Sequence, residues 1–277
     1  MTAADAYAAR IDAVNAQRAR LRSEEPSGDR WSGALARRFR MDPYRELAPN
    51  LAIIASYVQP DDVFVDVGGG AGRVCLPLAL RCREIINVDP SPGMRAEFEG
   101  CVGEAGITNA RFVPSDWLAA EGIEGDVVFA ANVTYFVRDV VRFVEKMVEA
   151  ARRRVTITVW SIPPASQDAA LFRAVYGEEQ ERAPSYRELL PVLWEMDILP
   201  DVRVLPDTFR EGPLPRMRDE AIDWALMRLR AENDARARAV IEQRFDDLFA
   251  EDAAGFRPLW RPDVRELLIT WETAREG

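Results

Sequence analysis

Histidine is absent from the 277 residues, which removes His-containing metal sites and every Ser-His or Cys-His nucleophilic device. Hydrolase readings lose most of their machinery with it, no metal centre is expected, and catalysis has to work through carboxylates, tyrosine, arginine, backbone groups or simple positioning. Cysteine is scarce: Cys75, Cys82 and Cys101 form no CxxC pair, and an odd number suits a reduced compartment. They read as small buried hydrophobes. No apolar run approaches the roughly twenty residues that span a bilayer, and Asp5, Arg10 and Asp12 stand where a signal peptide needs an apolar stretch. A cytoplasmic protein with no membrane partner is expected.

Positive charge is also in deficit. A net charge of −10 repels nucleic-acid phosphates, so no nucleic-acid partner is expected, and the Arg-rich stretch from Arg216 to Arg244 reads as solvated helix faces. A content of 48% hydrophobic and 30% charged residues excludes disorder as a description of the whole chain. The length allows a full α/β core with about a hundred residues left for a lid or small second domain.

Hydrophobic spacing orders the chain. Tyr7, Ala8, Ile11 and Val14 form one helical stripe within residues 3–22, and Ser23 to Gly28 reads as a loop. Leu47, Leu51, Ile54 and Val58 mark a second helix, ended by Pro60. Short apolar runs then alternate with helical patterns: Val63 to Val67, Ile85 to Val88, Ala110 to Val113, Val127 to Ala131 and Val155 to Trp160 predict strands of right-handed βαβ units. The helix before the fifth strand is the clearest, with Val140, Val141, Val144, Met147, Val148 and Ala151 on one face. Further on, Gln167 to Tyr176, a segment around Leu189 to Leu193, Asp219 to Arg230 and Asp234 to Phe249 predict helices. Val202 to Leu205 and Leu267 to Trp271 predict the last strands.

The sharpest signal is Val63-Phe64-Val65-Asp66-Val67-Gly68-Gly69-Gly70-Ala71-Gly72, a buried strand ending in a glycine-rich turn that opens a helix. Glycines admit a ligand to the backbone, and a helix N-terminus favours its anionic end. Pro77, inside that helix, is expected to remove one hydrogen bond and bend it slightly. A dinucleotide fingerprint needs a third glycine where Arg73 stands, which argues against NAD. The second strand ends in Asp89, a carboxylate placed to accept from both ribose hydroxyls of a nucleotide-like ligand.

The series Asp66, Gly68, Gly70, Gly72 resembles the first motif of class I S-adenosylmethionine-dependent methyltransferases. Pro90-Ser91-Pro92-Gly93-Met94 resembles the small-molecule branch of that family, in which Met94 packs on the adenine face; the alternative is core filler at a helix start. Pro114-Ser115-Asp116-Trp117 resembles the adenine-binding segment, with Asp116 accepting from the exocyclic amine or, alternatively, capping a helix. At Ala130-Ala131-Asn132-Val133-Thr134-Tyr135-Phe136 the family positions the methionine moiety and the acceptor, with Asn132 contacting the cofactor through its backbone. Tyr135 either faces the acceptor as the one catalytic candidate or is merely packed. The Asn/Asp-Pro-Pro-aromatic motif of base and glutamine methylation is missing there. Taken together, the resemblance implies S-adenosyl-L-methionine held by Asp66, Gly68, Gly69, Gly70, Gly72, Asp89, Pro90, Met94, Ser115, Asp116, Trp117 and Asn132, and a small-molecule methyl acceptor.

It also implies an α/β fold: a Rossmann-like doubly wound sheet of seven strands, mostly parallel with the last antiparallel. Residues 1–46 would form an N-terminal helical extension and 47–277 the catalytic domain, with a helical lid inserted at about 210–255. Trp31, Phe39, Arg40 and Tyr44 are candidates to close the acceptor pocket from the N-terminal side, or else ordinary packing. Three rivals stand beside this reading: an NAD-dependent oxidoreductase, a non-catalytic S-adenosylmethionine-binding protein, and an aminopropyl transferase of the same fold.

Overall fold

Strand β1 (Val63–Val67) is buried along its whole length, as a central strand covered on both faces must be. The computed structural model describes residues 1–21, 28, 29, 31, 33–206 and 214–273. Before β1 come α1 (Ala3–Leu21), α2 (Gly33–Arg37) and α3 (Pro49–Ala55). After it follow α4 (Cys75–Ala79), β2 (Glu84–Val88), α5 (Pro92–Ala105), β3 (Ala110–Val113), β4 (Gly125–Ala131), α6 (Val140–Ala150) and β5 (Ala151–Trp160). Then come α7 (Ala169–Tyr176), α8 (Tyr186–Glu195), β6 (Asp201–Val204), α9 (Arg218–Leu229), α10 (Ala235–Gln243), α11 (Phe245–Leu248), β7 (Phe249–Asp252), β8 (Gly255–Pro258) and β9 (Glu266–Glu272).

Seven strands form one sheet in the order β3-β2-β1-β4-β5-β9-β6, with β9 antiparallel to both its neighbours. The doubly wound sheet expected from the sequence is therefore present, with the last strand the antiparallel one. Alternate residues of β1 sort onto its two faces. Val63, Val65 and Val67 join the core under α1, α6 and α8, while Phe64 joins the core under α3, α4 and α5. Helix α6 shows how the covering forms: Val140, Phe143, Val144, Met147 and Ala150 recur at helical spacing and are buried, and the Asp139 carboxylate accepts from the Arg142 N–H at its start. Helix α8 opens with a capping box, in which Ser185 accepts from Arg187 N and Glu188 reaches back to Ser185 N.

Three details depart from the sequence reading. Strand β5 begins at Ala151, four residues early, because Arg152 pairs with Asp126 and Glu124, Arg153 with Asp62, and Arg154 with Glu272; paired arginines extend a strand that an apolar pattern starts at Val155. Pro77 costs no hydrogen bond, since α4 starts at Cys75 and the first-turn N–H groups lack helical partners in any case. The helix expected to run from Asp234 to Phe249 is two short helices, α10 and α11, followed by the hairpin of β7 and β8. Apart from Gly28, the loop expected over Ser23 to Gly28 lies outside the described residues, as do residues 210–213 of the expected insertion.

The segment from α9 to β8 does not pack as loose helices. Ile222, Leu226, Ile241, Phe245, Phe249 and Trp260 share a core with Leu171 and Val175 of α7, separate from the two cores of the sheet. Aromatic pairs knit it: Phe245 stacks on Phe249 at 4.8 Å, and Trp260 meets both Phe249 and Trp224. The satellite body thus begins at α7, directly after β5.

Candidate functional site

The crevice at the carboxyl ends of β1, β2 and β4 gathers the residues singled out by sequence. Gly68, Gly70 and Gly72 all have positive φ (69°, 54° and 83°), a backbone that side chains rarely adopt. Steric room is short as well: a Cβ on Gly72 would lie 2.6 Å from Leu76, and one on Gly69 2.5 Å from the Asp66 carboxylate. The loop therefore lies directly on the side chains beneath it.

Asp66 is 1% exposed, and among the described residues its carboxylate oxygens meet no donor stronger than the neighbouring Cys75 thiol. Buried polar groups are normally paired, so this orphan marks the site rather than the fold. Burial pushes its pKa up to about 7, and Asp89 adds in the same direction. Asp89 itself accepts from the Gly70 N–H at 3.0 Å through Oδ2 and from the Ser91 N–H at 2.9 Å through Oδ1. Its pKa is raised by burial. The carboxylate at the end of β2 and the glycine loop are thus one unit.

Pro90 is exposed and leads into α5, whose cap is the Ser91 hydroxyl accepting from Met94 N at 3.0 Å. Met94 is buried beside the loop, its sulfur 3.3 Å from where a Gly70 Cβ would stand. Asp116 is exposed and accepts from Leu118 N at 2.9 Å through Oδ1, the turn-capping geometry, which leaves Oδ2 on the same carboxylate pointing away from that bond. The Ser115 hydroxyl donates to the Asp116 carbonyl. Trp117 departs from expectation: its ring is 4% exposed and its indole N–H donates to the Phe143 carbonyl at 3.3 Å. Lys146 lies over that ring. The side chain belongs to the core under α6.

The contacts of Tyr135 are those of the packed alternative. Its hydroxyl accepts from the Trp160 N–H and donates to Asn132 Oδ1 at 3.0 Å, and burial raises its pKa. A hydroxyl engaged in both directions and held neutral is no proton acceptor. It fixes Asn132, the residue at the end of β4 with φ 61°, whose own N–H donates to the Thr158 carbonyl.

Several neighbours escaped the sequence reading. Asn87, at the middle of β2, donates from Nδ2 to the Gly70 carbonyl at 2.8 Å. Asp29 accepts from the Ser91 hydroxyl and the Gly93 N–H, both at 2.8 Å, and so ties the N-terminal segment to the start of α5. The Tyr7 hydroxyl of α1 donates to the Thr134 carbonyl at 2.7 Å, beside the end of β4. Asn87 carried a legible signal, an amide inside an apolar strand; Asp29, in irregular chain, carried none. Trp31 and Phe39 pack with Ala36 on Ala71 and Met94, while Arg40 pairs with Glu97 and Glu104 of α5 and the Tyr44 hydroxyl donates to the Ala105 carbonyl. These four residues therefore cover the glycine loop and α5 rather than the acceptor end at β4. Among the described residues, no helix is long and apolar enough to cross a membrane.

Residues 65–158 match the family model described as a methyltransferase domain. No curated protein matches the chain in sequence. Solved structures do. The YcgJ protein of Bacillus subtilis is 18% identical, with 82% of this chain and 99% of that one covered at a TM-score of 0.53. A protein of Bacillus halodurans C-125 is 12% identical, with 81% and 97% covered at 0.55. A SAM-dependent methyltransferase of Thiobacillus denitrificans, solved in complex with S-adenosyl-L-homocysteine, is 12% identical, with 85% and 94% covered at 0.49. The first two likenesses concern the fold alone.

Proposed function

We infer that residues 65–158, which match the methyltransferase domain model, bind S-adenosylmethionine in the manner of a class I methyltransferase, and that the chain methylates a small-molecule acceptor by in-line displacement. The observation that carries this reading is one crevice in which an orphaned buried carboxylate, Asp66, a positive-φ glycine loop and the Asp89 carboxylate converge. That donor set fits a ligand bearing both an ammonium group and a ribose: Asp66 has unused acceptors, the loop leaves no room for side chains, and Asp89 can accept from hydroxyls. Met94, Pro90, Ser115, Asp116 and the backbone at Trp117 border the adenine end, and Asn132 the methionine end.

Bound S-adenosylmethionine supplies an electrophilic methyl group on a sulfonium. The protein's part is alignment in a dry pocket, which contributes about 7 to 11 kcal/mol to such reactions. Tyr135 serves by holding Asn132 and the ends of β4 and β5 in register. An acceptor that has to lose a proton would lose it to a carboxylate, since the chain has no histidine and the Tyr135 hydroxyl is engaged.

A small acceptor is favoured by the net charge of −10, which repels nucleic acid, and by what rings the carboxyl ends of the strands. Gln17 and Arg20 at the end of α1 bond to Glu178, just after α7, and Arg38 donates to the Met227 sulfur of α9. We read the satellite body, α7 together with α9 through β8, as the lid, with residues 1–46 as a second cover and a cytoplasmic setting suited to the unpaired cysteines. The test is calorimetric titration with S-adenosylmethionine, S-adenosylhomocysteine and NAD, then methyl transfer to a panel of small acceptors and to tRNA. Micromolar binding of the first two with transfer to a small molecule supports the reading; NAD binding alone, or transfer to tRNA alone, overturns it.

A further inference from the structure

Asn87 stands between Ile86 and Val88 in the buried part of β2 and is itself fully buried. Its Nδ2 lies 2.8 Å from the Gly70 carbonyl oxygen. Two carbonyl oxygens do not approach so closely, so Gly70 settles the amide's orientation and turns Asn87 Oδ1 the other way. There it meets Asp66. A Cβ built on Gly69 would lie 2.5 Å from Asp66 Oδ2 and 2.7 Å from Asn87 Oδ1, so both oxygens bracket one point under the loop. Among the described residues, neither of them nor Asp66 Oδ1 meets a donor beyond the weak Cys75 thiol. Buried acceptors gathered under one loop carry a heavy desolvation cost unless a proton is supplied to them.

We propose that Asn87 is a positioning residue of the cofactor loop: it shares the proton of a neutral Asp66 through Oδ1 while holding Gly70 through Nδ2, so that cofactor binding is coupled to release of that proton. On binding, the Asp66 O–H bond breaks, its electron pair stays on the carboxylate, and the proton passes to solvent; the cofactor's positive charge takes the proton's place. The groups that face Asp66 agree with a balanced site. Burial and Asp89, at the end of β2, favour the neutral form, while Arg73 of the loop and the Cys75 thiol of α4, a weak donor, oppose it. The inference rests on the cofactor reading given above.

The test is calorimetric titration of the full chain with S-adenosylhomocysteine in two buffers of unlike ionisation enthalpy. Work at or below about pH 7 keeps the ligand's amine charged. About half a proton is released per ligand near pH 7, and affinity rises up to about tenfold per pH unit toward pH 7. Asp66→Asn places a permanent N–H donor against Asn87 Oδ1, so this variant folds, binds with no proton release, and shows flat affinity across the same range. In the free protein at about pH 6, the infrared band of a buried carboxylic acid is present, vanishes in Asp66→Asn, and moves to higher frequency in Asn87→Leu, which also binds at least about tenfold more weakly. Tight binding without proton release, or equal release from Asp66→Asn, overturns the coupling and leaves the cofactor reading intact. An unmoved band in Asn87→Leu overturns the part given to Asn87. Failure to bind S-adenosylhomocysteine at all overturns both readings.

Discussion

Two buried aspartates sit in the two bodies of this protein, almost equally hidden and opposite in character. Asp66, in the sheet, is 1% exposed and, among the described residues, meets no donor beyond the weak Cys75 thiol. Asp168, at the start of α7, is 2% exposed and saturated: Arg228 bonds Oδ2 at 2.9 and 2.7 Å, and Oδ1 takes the Trp260 indole N–H at 3.1 Å with Arg261 at 3.5 Å. A charge that the fold itself neutralises is structural, and it ties α7, α9 and the chain after β8 into one body. A carboxylate left unpaired by the fold is held ready for something that arrives later. Burial alone does not separate function from scaffold; the state of the partners does.

The sharpest way to break this comparison is to fill the site. Gly70→Val places a branched side chain at φ 54° against the Met94 sulfur. Cofactor binding is abolished while the far-ultraviolet circular dichroism stays native; retained binding would mean the ligand does not run along this loop. Next in size is Asp168→Ala, which removes the carboxylate that Arg228, Arg261 and the Trp260 indole N–H share inside the satellite body. It costs about 3–5 kcal/mol in urea unfolding, and the folded fraction keeps its affinity for S-adenosylhomocysteine. Loss of that affinity in proportion to stability would show that the two bodies are not separable. Asp89→Ala is milder: it removes one acceptor from the ligand and one from the Gly70 N–H, and weakens cofactor binding at least about tenfold with the fold retained. Calorimetry decides it, and an unchanged dissociation constant takes Asp89 out of the site.

The contrast also explains what was legible in the sequence. Strands buried on both faces announce themselves as apolar runs, so β1 to β5 and their helices stand out, and so do Asp66 and Asp89, each breaking or ending such a run. Backbone roles at the glycine loop follow from composition, because residues other than glycine rarely adopt those φ values. Side-chain direction does not follow. Trp117 reads as a site residue and turns into the core under α6; Tyr135 reads as facing an acceptor and spends its hydroxyl on Asn132 and Trp160. The satellite body is hidden for a related reason: its core joins α7 to residues some fifty to ninety positions later, and no local period records a contact at that separation. Asp29 is the extreme case, a residue of irregular chain made relevant only by where α5 begins.

The smallest effect sharpens the comparison most finely, because Tyr135 borders the site yet is satisfied like Asp168. Tyr135→Phe removes the bond to Asn132 Oδ1 and leaves the Trp160 N–H without its acceptor. Urea unfolding registers a loss of about 1 kcal/mol. The hydroxyl's pKa lies above its ordinary value, so it is neutral in both folded and unfolded chains through the neutral range, and the loss is the same at about pH 6 and about pH 9. Affinity for S-adenosylhomocysteine falls by less than about threefold, since the Asn132 backbone remains tied to Thr158. A loss that grows toward pH 9 would mean that the folded hydroxyl ionises there, below its unfolded pKa, and is not locked by its two bonds. That outcome would return Tyr135 to the acceptor as a base and leave Asp66 without its counterexample at the site.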